Sequence, residues 1–235
     1  MKLDILVFAS HPDDAELSCS GTIASHVAKG KKVGIVDLTR GELGTRGSIE
    51  LREKEALAAS KILGIKVREN LELADGFFEV NKESLLKVAN CIRKYQPEII
   101  LANAINDRHP DHGKGAKLVE EACFYSGIKR VVTVNAFAPW RPTALYHYIQ
   151  SNYIEPDLIV DISDFWHIKE KSIRAFKSQF YDPKSREPET YISKPGFLEF
   201  LMSRSKMWGQ AIGVKYGEGF TVNRKLGVKY LFDLI

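Results

Sequence analysis

The chain has 235 residues, 44% hydrophobic and 27% charged, with a formal net charge of +4. That balance suits one folded domain whose core needs no disulfides. Basic residues lie scattered among acidic ones rather than in an aromatic-studded stripe, which argues against nucleic acid. No apolar run approaches the roughly 18 residues of a membrane helix, so no membrane partner is expected.

The opening apolar run Asp4–Ser10 reads as a buried strand; Asp4 interrupts it, and no small-residue cleavage site follows as in a signal peptide. Glu16–Lys29 carries apolar residues at helical spacing, with Gly30 as its stop. Lys32–Leu38 is a second strand, and Ser48 is placed to cap a helix over Ile49–Leu63 that Gly64 ends. Ile65–Leu73 is a third strand, Lys82–Tyr95 a helix with Pro97 beyond it, and Glu98–Asn103 a fourth strand. His112–Tyr125 is the next helix. Leu145–Ile149 and Leu158–Ile162 read as strands, Asp164–Phe180 and Phe197–Trp208 as helices, and Tyr181–Gly196, with three prolines, as a loop able to cross the site. Strands alternating with helices mean βαβ units. The expected fold is a single-domain α/β, doubly wound, mostly parallel Rossmann-like sheet with helices on both faces, its core over about residues 1–165 and a helical and loop extension over 166–235. Cys19, Cys91 and Cys123 are odd in number and far apart, so a cytoplasmic protein without disulfides or thiolate metal sites is expected.

In such sheets ligands bind outside the carboxyl ends of the strands. The loop after the first strand is Ser10-His11-Pro12-Asp13-Asp14-Ala15-Glu16, and that after the fourth is Ala104-Ile105-Asn106-Asp107-Arg108-His109-Pro110-Asp111-His112. Taken singly, each is an ordinary turn opening a helix. Together, His and Asp clusters at the same end of one sheet point to a metal centre. Catalytic zinc sites use three N or O ligands and keep a position open. His11 with Asp14, and His109 with His112, have the i, i+3 spacing to share a centre. The surplus of residues suits hydrolysis, which also needs a base and an oxyanion stabiliser. His26, His147 and His167 sit in regular elements and read as structural.

The segment Ala9–Glu16 and the later His109-Pro110-Asp111-His112 resemble the two signatures of the LmbE-like, or PIG-L, zinc deacetylases. Val36–Gly47, Ala74–Phe78, Ser178–Tyr181 and Gly217–Phe220 resemble the subgroup that makes bacillithiol, whose enzyme deacetylates N-acetylglucosaminyl malate. The resemblance implies one Zn²⁺ per chain, or Fe²⁺ or Co²⁺, on His11, Asp14 and His112. It implies Asp13 as general base, a protonated His109 at the oxyanion and Asp111 as the orienting partner of His109. It also implies a homo-oligomer with a small-molecule N-acetylglucosamine conjugate as substrate. Arg52 reads either as an exposed helix arginine or as a substrate contact, and Asp75 as a sugar contact or a turn residue. Arg46 and Arg108 are candidates for the malate carboxylates. Relatives bring a late-loop tyrosine to the oxyanion; Tyr191 lies in that region, although the aligned position is Phe197. Gly41, Gly44 and Gly47 form a loop able to cradle an anion. Diacetylchitobiose-like and mycothiol-type deacetylases share the metal motifs. The rival classes are a two-metal phosphoesterase and a non-catalytic nucleotide-binding module, the latter disfavoured because no G-x-G-x-x-G follows the first strand.

Overall fold

The computed structural model describes residues 1–233. Four βα repeats and a fifth strand open the chain: β1 (Ile5–Ala9), α1 (Asp14–Ala28), β2 (Val33–Thr39), α2 (Ile49–Leu63), β3 (Val67–Leu73), α3 (Lys82–Tyr95), β4 (Ile99–Ala102), α4 (Pro110–Ser126) and β5 (Ala144–Tyr148). β6 (Leu158–Asp161), α5 (Trp166–Arg174), α6 (Phe197–Ala211) and β7 (Gly217–Thr221) follow. The capping signals operate as read: the Ser48 side chain accepts from Leu51 N, and Gly64 is left-handed at the end of α2. α4 starts two residues before the expected His112 because Pro110, lacking an N–H, is suited to a first turn.

The seven strands form one sheet in the order β3-β2-β1-β4-β5-β7-β6. β1, β2, β3, β4 and β5 pair in parallel, and β7 runs antiparallel to both β5 and β6. Every residue of β1 and β2 is buried, as strands covered on both faces must be. Side-chain alternation divides the core. Leu6 and Phe8 pack with Val88 and Ile92 of α3 and Leu118 of α4. Ile5, Val7 and Ala9 pack on the opposite face with Cys19 and Ile23 of α1. Ala56 and Ala59 of α2, Ile173 of α5, Phe176, Phe180 and Leu201 of α6 make a further cluster under the late loop.

Two elements differ from the sequence expectation. The helix expected over Asp164–Phe180 is a 3₁₀ turn followed by α5, which ends at Arg174. Beyond it, Glu55 of α2 accepts both the Ser178 N–H and its hydroxyl, each at 2.7 Å. A tertiary carboxylate thus captures a donor that the helix would have used, and Phe176 and Phe180 enter the core. β7 lies in the region expected to be an extension, yet it completes the sheet. Its glycines hide it: a Cβ on Gly217 would sit 2.6 Å from Ile159, and one on Gly219 3.1 Å from Trp208, so only glycine lets the sheet pass beneath α6.

Between those glycines, Glu218 is fully buried. Its carboxylate accepts from Gly21 N at 2.9 Å and Thr22 N at 2.7 Å, and pairs with the equally buried Lys169 of α5 at 2.5 Å. The two N–H groups are free because α1 breaks at Cys19 (φ −133°, ψ 15°), so Glu218 caps the second half of a kinked helix. Lys169→Met would strand this carboxylate in the core. We expect a loss of about 3 kcal/mol or more, which thermal unfolding would register as a melting point lower by roughly 10 °C; an unchanged melting point would show that the pair is not coupled to the fold.

Candidate metal centre and active site

β1 has β2 on one side and β4 on the other, so the strand order reverses between β1 and β4. That is where an open parallel sheet forms its crevice, and the two His- and Asp-bearing loops leave the sheet there. Gly115 lets α4 settle onto this edge, since a Cβ would lie 2.5 Å from the Ser10 hydroxyl. Ser10 in turn donates to the carbonyl of Asp111 at 2.9 Å. The loops are thereby drawn together: the ring centroids of His11, His109 and His112 lie 4.6 to 5.5 Å apart.

Each of two histidines turns one nitrogen outward to a carboxylate and the other inward to Asp14. His11 Nε2 donates to Asp75 Oδ1 at 2.9 Å, while its Nδ1 faces Asp14 Oδ2 at 3.5 Å. His112 Nδ1 donates to Asp107 Oδ2 at 2.5 Å, while its Nε2 faces Asp14 Oδ1 at 3.1 Å. Outward donation to a carboxylate fixes the tautomer that leaves the inner nitrogen free for a metal. Asp14 itself is held from behind. The His11 N–H and Asn103 Nδ2 donate to Oδ2, both at 3.0 Å, and Gln150 Nε2 donates to Oδ1 at 3.0 Å. The Gln150 amide is oriented in turn by Ala104 N–H and Asn103 Nδ2, which donate to its Oε1.

The donor set fits a divalent cation. Asp13, Asp14, Asp75, Asp107 and Asp111 crowd the site against the guanidinium of Arg52 and the ammonium of Lys114. Burial opposes charge on His112, but Asp14 and Asp107 raise its pKa to about 9; Asp111, Asp14 and Asp75 likewise raise that of His11 against its burial. Burial works against ionised Asp14 too, yet His112 and His11 hold its pKa well below the carboxylate range. The rings thus take up protons to offset surplus negative charge, and a metal would displace those protons. His11, His109 and His112 bring one nitrogen each within 4.8 Å of one another, as do His11, Asp75 and Asp111 for one ligand atom apiece.

Asp13 sits beside this set with φ at 113°, a left-handed conformation that costs a non-glycine residue about 1–3 kcal/mol. Burial raises its pKa to about 7, although the Arg52 guanidinium, 3.3 Å away, works in the other direction. Arg52 also donates to the carbonyls of Pro12 at 2.6 Å and Gly41 at 3.3 Å. Gly41 is required there, because a Cβ would lie 2.0 Å from Arg52 Nη1. The glycine-bearing loop therefore clamps Arg52.

A cavity of about 350 Å³ opens over these groups. His11, Asp13, Asp14, His109 and His112 form its polar floor, and Tyr191, Phe197, Phe200 and Leu201 an apolar wall.

Five residues stand differently from the sequence expectation: Asp111, His109, Asp75, Arg46 and Arg52. The Asp111 carboxylate does not reach His109: it accepts from Gly76 N at 2.7 Å, pairs with Lys114 at 2.7 Å and lies 3.4 Å from His11. Only the backbone N–H of Asp111 meets His109, donating to Nδ1 at 3.2 Å. His109 is then not the expected imidazolium. Burial, with His11 and His112 nearby, pushes its pKa down, and an accepting Nδ1 leaves the proton on Nε2. Asp75 spends both oxygens within the protein, on His11 and on Leu43 N. Arg46 lies outside the cavity, donating to the carbonyls of Ser178 and Phe180 and to the Ser185 hydroxyl, as a strut for the late loop. Arg52 is a buried brace for Asp13 and only its edge lines the cavity. Arg108 lines the cavity with its guanidinium 4.4 Å over the Tyr191 ring. Asp107, Asn103 and Gln150 escaped the sequence reading. Asp107 lay inside the second cluster, and Asn103 and Gln150 follow the carboxyl ends of β4 and β5, where the strand-end rule could have found them.

Fold and site define a doubly wound α/β enzyme with a candidate His/Asp metal site at the switch point of its sheet. Residues 6–123 match the family described as PIG-L, GlcNAc-PI de-N-acetylase, and the chain belongs to it; the enzyme is of that family's amide-hydrolysing type. A conserved protein of Thermus thermophilus superposes with a TM-score of 0.87 at 36% identity, over 97% of this chain and 98% of that one. The N,N'-diacetylchitobiose deacetylase of Pyrococcus horikoshii superposes with a TM-score of 0.80 at 28% identity, over 93% and 82%. A 4-oxalmesaconate hydratase of Pseudomonas putida is 28% identical over 196 residues, 74% of this chain and 73% of that protein. Among the described residues no helix is long and apolar enough to cross a membrane.

Proposed function

We propose that the chain is a zinc-dependent N-deacetylase acting on an N-acetylglucosamine conjugate, with N-acetylglucosaminyl malate of bacillithiol synthesis as its substrate. The observation that carries the reading is the convergence of His11 Nδ1, Asp14 and His112 Nε2 beside a buried Asp13, under a cavity of about 350 Å³. That volume suits a single small ligand. His11, Asp14 and His112 would hold one Zn²⁺ (Fe²⁺ and Co²⁺ suit the same donors), which supplies Lewis acidity to the acetamide oxygen and to the attacking water.

The remaining chemistry falls to the chain's own side chains. Asp13, poised near neutrality, takes the proton released as water adds to the acetamide carbonyl and returns it to the nitrogen as the C–N bond breaks, giving acetate and a free amine. Arg52 keeps the Asp13 carboxylate turned toward the cavity floor. Neutral His109 donates from Nε2 to the carbonyl oxygen as it gains charge. Asp75 and Asp107 keep the His11 and His112 rings in register. Arg108, at the rim with Tyr191, faces the aglycone. The deacetylase relatives act, by name, on diacetylchitobiose and on an inositol-linked 2-acetamido sugar, which supports the acetamido sugar; the malate rests on the resemblance of Val36–Gly47, Ala74–Phe78, Ser178–Tyr181 and Gly217–Phe220. The three widely spaced cysteines support a cytoplasmic location, and the family resemblance supports a homo-oligomer.

Acetate release from N-acetylglucosaminyl malate, diacetylchitobiose and free N-acetylglucosamine, before and after chelation, tests this. The malate conjugate should react at least roughly tenfold faster than the others, chelation should abolish turnover, and one zinc per chain should restore it. Equal rates on all three would remove the malate assignment. Activity indifferent to chelation, or two metals per active chain, would remove the one-zinc reading.

A further inference from the structure

Among the described residues the buried arginines are compensated, with one exception. Arg52 pairs with Asp13, and Arg68 with Asp37 and Glu16. Arg46 donates to two carbonyls and a hydroxyl, with Glu187 3.8 Å away. Arg93 gives all three of its nitrogens to carbonyl oxygens. Arg204, on α6, is only 9% exposed, and among the described residues no carboxylate comes within 4.0 Å of it. One of its five N–H groups is used, by Nη1 on the carbonyl of Gln150, and its Nε is buried without an acceptor. Phe200 and Trp208 flank the guanidinium at 5.6 and 5.0 Å.

This cation is not sealed in the core. Phe197, Phe200, Leu201 and Arg204 recur on one face of α6 and form a wall of the cavity over the metal centre. If Arg204 were only a strut tying α6 to the end of β5, one donor to one carbonyl would suffice, and a neutral side chain would serve at less desolvation cost. Burial indeed pushes its pKa down to about 10, with Glu218, Tyr191 and Asp107 too distant to restore it. A planar fork with unused donors, flanked by aromatic rings and lining a cavity, matches a carboxylate.

We infer that Arg204 is a specificity-determining residue that binds a carboxylate on the substrate's aglycone. The inference rests on the deacetylase reading and deepens it: the enzyme selects an anionic conjugate over a neutral glycoside of the same sugar. Arg204 takes the charge inside the cavity wall, whereas Arg108 stands exposed at the rim on Tyr191.

The test compares N-acetylglucosaminyl malate with methyl N-acetyl-α-glucosaminide. Wild-type enzyme should prefer the anionic substrate by roughly 30-fold or more in kcat/KM. Arg204→Gln should cut that preference at least tenfold, mainly through KM, and Arg204→Lys should retain part of it. A wild-type preference below threefold would overturn the inference while leaving the deacetylase intact. So would equal losses on both substrates, which would place Arg204 at the acetyl group or in the frame of the fold. Trp208 fluorescence, titrated with L-malate in the zinc-loaded protein, reads the subsite without turnover: Arg204→Gln should weaken binding at least tenfold, and equal affinity would refute the assignment. That arm stands even if no acetate is released from any substrate, the result that would instead remove the proposed function.

Discussion

Asp13→Asn is expected to lower kcat for acetate release by roughly 1,000-fold while the metal content stays at the wild-type level. The exchange keeps the shape of the side chain and one oxygen for Arg52, but removes the site that accepts and returns the proton. The case rests on environment as much as on position. Asp13 is buried, held in a strained turn, and brought to about pKa 7 by that burial, and a base is most useful near the pH at which it works. Asp14, the next residue, is driven the opposite way by His112 and His11, so two adjacent carboxylates are sorted into a proton carrier and a permanent anion. Metal analysis beside a turnover assay checks the claim; an Asn variant within tenfold of wild type would remove Asp13 from the mechanism.

Asp14→Ala should show the reverse pattern, with loss of the metal itself. This carboxylate is the point on which His11 and His112 converge, and three N–H donors hold it there. Removing a residue that merely orients a metal ligand costs about 10–100-fold in affinity, which is the loss expected for Asp107→Asn. Losing the ligand itself should exceed that, to more than roughly 100-fold. Competition against a chromophoric chelator measures both variants on one scale. If Asp14→Ala binds zinc no more weakly than Asp107→Asn, the metal is held elsewhere, and the His11, Asp75 and Asp111 grouping becomes the candidate.

The parts of the molecule legible in the sequence are those specified locally. α3 runs over Lys82–Tyr95 as its apolar spacing predicts, and α2 starts and stops on Ser48 and Gly64. The metal cluster was legible for the same reason, because its residues are crowded into two short segments. What was hidden is specified across long sequence distances. Nothing near Ser178 announces that Glu55, 123 residues earlier, ends the helical path there. Gly217 and Gly219 argue against a strand until α6 is seen lying over them. Arg46 is a candidate for the malate carboxylates only as a guanidinium near the first loops, and its function as a strut depends on residues more than 130 positions away. Asn103, Gln150 and Arg204 are isolated polar residues at the ends or on the faces of regular elements, meaningful only once the sheet has collected them.

The sheet order also bears on how the molecule is made. β7 is synthesised after β6, but it lies between β5 and β6. Until residues 217–221 leave the ribosome, β6 has no neighbour to pair with, Lys169 has no counter-charge and the kinked half of α1 has no cap. A nascent chain can assemble the parallel strands early, as local βα units, yet it carries an open sheet edge beside β5 until residues 217–221 have been made. Such edges invite association with other chains. Closure is therefore a single late event, and a chain cut short before Gly217 loses the sheet's edge, its buried ion pair and a helix cap together.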